Sequence, residues 1–233
     1  MRILGMEKMS LVDYDGFVSA TIFTGGCNFL CPFCHNSPLV IDHKTIKEMP
    51  TDSVLDYLKK RQGVLDAVCI SGGEPTLQKD LADFMEQVKN LGYKIKLDTN
   101  GTNPETIKFV HQNGLCDYFA MDIKNNLNDY AKIIGFDSYD TTKVQQSIEY
   151  FLSTNADYEF RTTIIKEFHN KDNMLNIAKE IKGAKRYFLQ KFKKGENCID
   201  ANSLNHIDNS TVLEFIDIIK PFVPNVKTRG YDL

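Results

Sequence analysis

The 233-residue chain has no tryptophan, only seven prolines, and no excess of either charge. Its 28 Lys and Arg against 31 Asp and Glu leave a net charge of −3. Such a balance exerts no bulk pull on nucleic acid or on an anionic membrane surface, and neither is expected as a partner. No apolar run approaches the roughly 20 residues of a membrane-spanning helix. Met1–Ser10 lacks the apolar core of an export signal. Six cysteines without such a signal point to a reducing, cytoplasmic setting. Low-complexity segments, linkers and repeats are also missing. A hydrophobic content of 42% over this length suffices for one full core, expected as a single domain over residues 1–233.

What is present is concentrated in one run, Thr24-Gly-Gly-Cys-Asn-Phe-Leu-Cys-Pro-Phe-Cys-His-Asn36. Cys27, Cys31 and Cys34 stand at C-x3-C-x2-C spacing, with no fourth cysteine nearby. Three thiolates can hold three irons of a [4Fe–4S] cluster, whereas a cluster that only carries electrons normally takes four. The remaining iron is then open, and an open metal position is where a substrate binds. Three rival readings share these residues. A structural zinc ion wants four ligands, and His35 directly follows Cys34, where the two rarely aim at one tetrahedral ion. A dithiol at Cys31-Pro-Phe-Cys34 leaves Cys27 unexplained. The haem-attachment pattern Cys31-Pro-Phe-Cys-His35 is weak without an export signal. Cys69, Cys116 and Cys198 are scattered, and Cys69 lies in an apolar run that reads as core.

Short β-like runs alternate with helical patterns along the chain. The expected strands are 17–23, 66–71, 94–98, 117–122, 158–164 and 186–190, with 225–229 as a short closing strand. The expected helices are 54–62, 81–91, 105–113, 141–153, 173–182 and 210–220. Gly92 and Gly114 stop two of them, and Pro221 halts the last. Six strand–helix units imply parallel strands with right-handed crossovers. They are too few for a complete eight-stranded barrel, so the expected fold is α/β, a partial (β/α)6 barrel, with an open doubly wound sheet as the alternative.

In parallel α/β folds, ligands bind beyond the carboxyl ends of the strands, and the polar clusters fall there. The cysteine run follows the first strand. Ser71-Gly-Gly-Glu-Pro75 follows the second, with Gly72 and Gly73 allowing a backbone to come close to a ligand. Taken alone, this run also reads as a mere turn before a helix. Asp98-Thr-Asn-Gly101 follows the third strand and Asp122-Ile-Lys124 ends the fourth. Both aspartates also read as helix caps or solvated loop ends. Arg161 and Gln190 lie on the fifth and sixth strands, and Arg161 reads equally as a surface ion pair. His169 and His206 read as loop residues rather than ligands.

The cysteine run, with Phe33 before its last cysteine, resembles the cluster loop of the radical S-adenosylmethionine (SAM) enzymes. Gly26-Cys27-Asn28 and Cys34-His-Asn36 resemble more particularly the activases of glycyl-radical enzymes. Ser10-Leu-Val-Asp-Tyr-Asp-Gly16 and Val226-Lys-Thr-Arg-Gly-Tyr231 resemble the activating proteins of anaerobic ribonucleoside-triphosphate reductase, in their branch similar to the pyruvate formate-lyase activases. The resemblance implies the partial-barrel radical SAM fold and one [4Fe–4S] cluster per chain on Cys27, Cys31 and Cys34. The roughly eight further cysteines of inserted two-cluster modules are absent.

It also implies SAM on the open iron, its amino end held by Gly72, Gly73 and Glu74, with Phe33 and Lys124 in the pocket. Arg161 is implied as a contact to the SAM carboxylate or to a peptide backbone. Asp98 and Asp122 are implied to hold a monovalent cation beside SAM. Gln190 stands where these relatives have a histidine near the ribose, which is a departure. The implied reaction is reductive cleavage of SAM, fed by a one-electron donor such as flavodoxin or ferredoxin. The 5′-deoxyadenosyl radical then takes an α-hydrogen from a glycine of a partner glycyl-radical enzyme, foremost the anaerobic reductase. Alternatives are another partner such as pyruvate formate-lyase, a small-molecule radical SAM enzyme, or a non-catalytic zinc or dithiol protein.

Overall fold

A computed structural model describes residues 1–200 and 202–233. The chain divides into two compact units, residues 1–28 with 36–120, and residues 29–35 with 121–233.

The first unit opens with β1 (Ile3–Ser10), antiparallel to β2 (Ser19–Thr24). After it come α1 (Ser37–Val40), α2 (Thr51–Lys60), β3 (Ala67–Gly72), α3 (Leu81–Asn90), β4 (Lys94–Thr99) and α4 (Pro104–Gln112). β2, β3 and β4 are parallel, with Ser19 opposite Ala67 and Ala67 opposite Lys94. The helices form because their apolar residues recur at helical spacing. α3 buries Leu81, Phe84, Met85 and Val88, and α2 buries Val54 and Leu58. Each such side chain contributes about 1.5–3 kcal/mol on leaving water. Pro104 starts α4, where its missing N–H costs nothing.

The strand β5 (Tyr118–Asp122) passes from the first unit into the second. The second unit continues with α5 (Tyr130–Ile133), α6 (Thr142–Ser153), β6 (Tyr158–Ile164), α7 (Lys171–Glu180), β7 (Tyr187–Lys191), α8 (Asn209–Ile219) and β8 (Val226–Arg229). β6, β7 and β8 are parallel. Asn170 and Asn173 close a reciprocal capping box on α7, and the Asp208 carboxylate accepts from Thr211 N at 2.9 Å to start α8. Phe151 of α6 packs its ring 5.1 Å from Tyr158 and 6.1 Å from Phe160 of β6. Among the described residues no helix is long and apolar enough to cross a membrane.

Every expected strand is present within two residues of its expected ends. β1 was not expected. Its sequence, Ile-Leu-Gly-Met-Glu-Lys-Met-Ser, has no clean alternation, and its register against β2 shifts twice. Pairing with β2 makes it a strand, not local propensity. The short helices α1 and α5 were also unanticipated, being too brief to show a period.

Candidate active site

β2 ends at Thr24, and Gly25 and Gly26 turn the chain into the cysteine loop. Gly26 has a φ of +90°, which an L side chain resists. Its carbonyl accepts from Glu74 N at 2.8 Å, and Thr24 O accepts from Gly73 N at 2.9 Å. The Gly-Gly-Glu-Pro turn after β3 is thus laced directly onto the start of the cysteine loop. Both glycines are required. A Cβ on Gly73 would lie 2.0 Å from Gly26 O, and one on Gly72 2.4 Å from Thr24 N. The close backbone approach anticipated for this pair serves the protein's own loop.

Glu74 is almost wholly buried, at 1% exposure, and its carboxylate is fully engaged. Oε1 accepts from Thr76 N at 3.1 Å, Thr76 Oγ1 at 2.5 Å and Thr99 Oγ1 at 2.8 Å. Oε2 accepts from Asn100 N at 2.6 Å. Burial pushes its pKa up, and these four bonds pull against that rise. The side chain therefore fastens the turn after β3 to the turn after β4. What this segment can offer a ligand is backbone.

Asn100 was not singled out from the sequence, yet it is the hub of the first unit's loops. Its backbone N–H serves Glu74, and its side-chain Nδ2 donates to Asn28 Oδ1 at 2.8 Å and lies 3.9 Å from Cys27 Sγ. Its neighbour Asp98 is held within the same unit. Lys96 Nζ lies 2.8 Å from Asp98 Oδ1, and Ser71 Oγ donates to Oδ2 at 3.1 Å. Lys96, also missed, is a buried lysine that donates to Asp13 O at 2.7 Å.

In the second unit, Asp122 accepts from Arg161 Nε at 2.8 Å through Oδ1 and from Lys124 Nζ at 2.9 Å through Oδ2. Burial works against the charge on Lys124. The Asp122 carboxylate and the Cys31 sulfur outweigh it, so the ammonium is held more basic than usual. The same Nζ lies 5.7 Å from the centre of the Phe33 ring, a cation–π approach onto the cysteine loop. His169 is a loop residue as anticipated, but a buried one. Ile165 N donates to its Nδ1 at 3.0 Å, so Nε2–H faces Lys124 O at 2.9 Å. Burial lowers its pKa to about 4.

The Pro32–His35 stretch is tied to the segment after β7. Asp200 N donates to Pro32 O at 2.8 Å, and His35 Nε2 meets Lys193 O at 2.5 Å. Cys198 Sγ lies 3.8 Å from Phe33 O. Gln190, on β7, pairs in register with Arg229 of β8. Arg229 grips the buried Glu159 with both guanidinium nitrogens, at 2.5 and 2.9 Å, above the Phe188 ring.

None of the three loop cysteines is in a disulfide; Cys31 is buried and Cys27 and Cys34 are half-buried. Among the described residues, no three His, Cys, Asp or Glu side chains form a ready-made ion cage. The donor set fits an iron–sulfur group that brings its own sulfides. Cysteine thiolates are the soft donors such a group takes, and within the first unit Cys27 has the Asn100 amide beside it.

Residues 21–186 match the Radical SAM superfamily, and the chain belongs to that family. It is a radical SAM enzyme, with a [4Fe–4S] cluster and SAM as its cofactors. A Methanocaldococcus jannaschii protein bearing the name of a glycyl-radical enzyme activating enzyme is 33% identical over 97% of this chain and 95% of its own. The pyruvate formate-lyase-activating enzyme of Listeria monocytogenes is 34% identical over 53% of each chain. Streptococcus suis SuiB, solved bound to SAM, superposes with a TM-score of 0.67 at 13% identity, over 88% of this chain and 48% of that one. The α/β fold expected from strand–helix alternation, and the radical SAM fold that the resemblance implied, are therefore the fold observed.

Proposed function

We propose that this chain is an activase that uses SAM to place a radical on a glycine of a partner enzyme, foremost an anaerobic ribonucleoside-triphosphate reductase. The observation that carries the reading is the near full-length similarity to a relative named for glycyl-radical enzyme activation. It coincides with three cysteines outside any disulfide at C-x3-C-x2-C spacing. The shorter match to a pyruvate formate-lyase-activating enzyme keeps that partner as the second reading.

Cys27, Cys31 and Cys34 would hold the cluster, which when bound supplies one electron to the SAM sulfonium. The protein's own part is to bind, orient and exclude water. Backbone atoms of Gly72, Gly73 and Glu74 would face the SAM amino group. Phe33 and Lys124 would border the pocket, with Lys124 and Arg161 offering positive charge to the SAM carboxylate. A monovalent cation at Asp98 or Asp122 would have to displace an ammonium or guanidinium group already there. The target glycine must reach the site on a segment that opens locally in the partner.

The test is anaerobic reconstitution with reductant, SAM and candidate partners. A glycyl-radical resonance on the reductase, with 5′-deoxyadenosine formed in step with it, supports the reading. SAM consumption that ignores the reductase but follows pyruvate formate-lyase favours the second partner. Turnover with a small molecule alone would end the activase reading.

A further inference from the structure

We infer that the side chain of Asn100 is a positioning residue for the cluster. Its amide N–H directed at Cys27 Sγ raises the cluster's affinity for the reducing electron.

The orientation of this amide follows from its neighbours. Asn100 Oδ1 accepts from Thr102 N at 3.1 Å and from Thr102 Oγ1 at 2.7 Å. A backbone N–H can only donate, so the oxygen must face Thr102 and the nitrogen must face the other way. On that side stand Asn28 Oδ1 at 2.8 Å and Cys27 Sγ at 3.9 Å. The Asn28 amide is fixed in turn, because its Nδ2 donates to Thr102 Oγ1 at 2.9 Å. Asn28, Asn100 and Thr102 thus form a closed ring of hydrogen bonds with a single consistent sense. The ring leaves one Asn100 proton aimed at sulfur.

Asn100 is buried, at 6% exposure, so water competes little for that proton. A free thiol at 3.9 Å takes only a weak bond. A metal-bound thiolate is a better acceptor, and hydrogen bonds to cluster sulfurs stabilise the more negative, reduced state. The backbone N–H of Asn100 is committed separately to Glu74 Oε2. Side-chain substitution therefore removes the donor to sulfur without unfastening the turn. This inference rests on Cys27 being a cluster ligand and is independent of which partner is activated.

The test uses the full chain, reconstituted anaerobically, with the reduction midpoint read by electron paramagnetic resonance and no partner present. Asn100→Ala should shift the midpoint to more negative potential, a fall of about ten-fold in the equilibrium constant for reduction. Asn100→Asp keeps the shape but puts an acceptor against the sulfur, so it should shift the midpoint at least as far. Thr102→Val perturbs the same ring but leaves the donor to sulfur, and should move the midpoint little. Unchanged midpoints in both Asn100 variants would overturn the inference. So would an equal shift in Thr102→Val, since the effect would then be loosening of the ring. A wild-type chain that binds no iron and sulfide would instead remove the cluster assignment on which the inference stands.

Discussion

Gly73 approaches Gly26 so closely that a Cβ on Gly73 would stand 2.0 Å from the Gly26 carbonyl oxygen. That oxygen also accepts the Glu74 N–H, so neither backbone can withdraw without losing a bond. Gly73→Ala should therefore push the turn after β3 off the start of the cysteine loop. A loss of about 1–3 kcal/mol in chemical denaturation is expected, together with lower iron content after reconstitution. Wild-type stability and iron content would show that the two turns separate freely.

Asp122 faces two cations, Arg161 at 2.8 Å and Lys124 at 2.9 Å. Asp122→Ala removes the carboxylate that both largely buried cations face, and removing one partner of a buried pair costs about 3 kcal/mol. The Lys124 pKa should fall in the variant, because the carboxylate that offset burial has gone. Urea unfolding measures the first effect and nuclear magnetic resonance titration of the lysine the second. Unchanged stability would mean that Arg161 and Lys124 find other partners.

His169 sets a pH dependence. Its folded pKa of about 4 lies below the ordinary value of 6.5 because it is buried. Between those values the unfolded chain binds more protons, so stability rises with pH there. Its contribution is complete above about 6.5 and is lost as pH falls through about 4, on the order of 3 kcal/mol. His169→Gln should flatten the stability profile between pH 4 and 7 relative to wild type. Parallel profiles would place the titration elsewhere.

Two cysteine variants separate ligand from bystander. Cys31→Ala should abolish reductive SAM cleavage, and a normal yield of 5′-deoxyadenosine would refute its place on the cluster. Cys198→Ala should leave cleavage nearly intact, since its thiol offers Phe33 O only a weak donor at 3.8 Å. A dead Cys198→Ala enzyme would reveal a functional thiol.

The elements that the sequence made legible are those with strong local periodicity. β6, expected over Tyr158–Ile164, is observed over those residues, and α3 buries an i, i+3, i+4, i+7 set that its sequence displays. β1 escaped because its identity as a strand lies in its partner β2. The cysteine spacing was legible because a loop ligand set is written in consecutive residues. Asn100, Lys96 and His169 were not, because their roles depend on atoms tens of positions away. Cys27 is 73 residues from Asn100, and Lys124 is 45 from His169.

Glu74 divides the two kinds of information most sharply. Its place in Gly-Gly-Glu-Pro, downstream of three cysteines, resembles a SAM-binding turn, a reading the residues by themselves left open to a mere turn. Only the tertiary structure decided that its carboxylate is spent on Thr76, Thr99 and Asn100. The chain by itself displayed its α/β alternation and its cysteine spacing, because these are written in period and in consecutive residues, and the motif residues carried its resemblance to the radical SAM family. Which groups are already hydrogen-bonded, and which remain for a ligand, depends on how distant turns meet. A buried polar atom must find its partner wherever the fold places one.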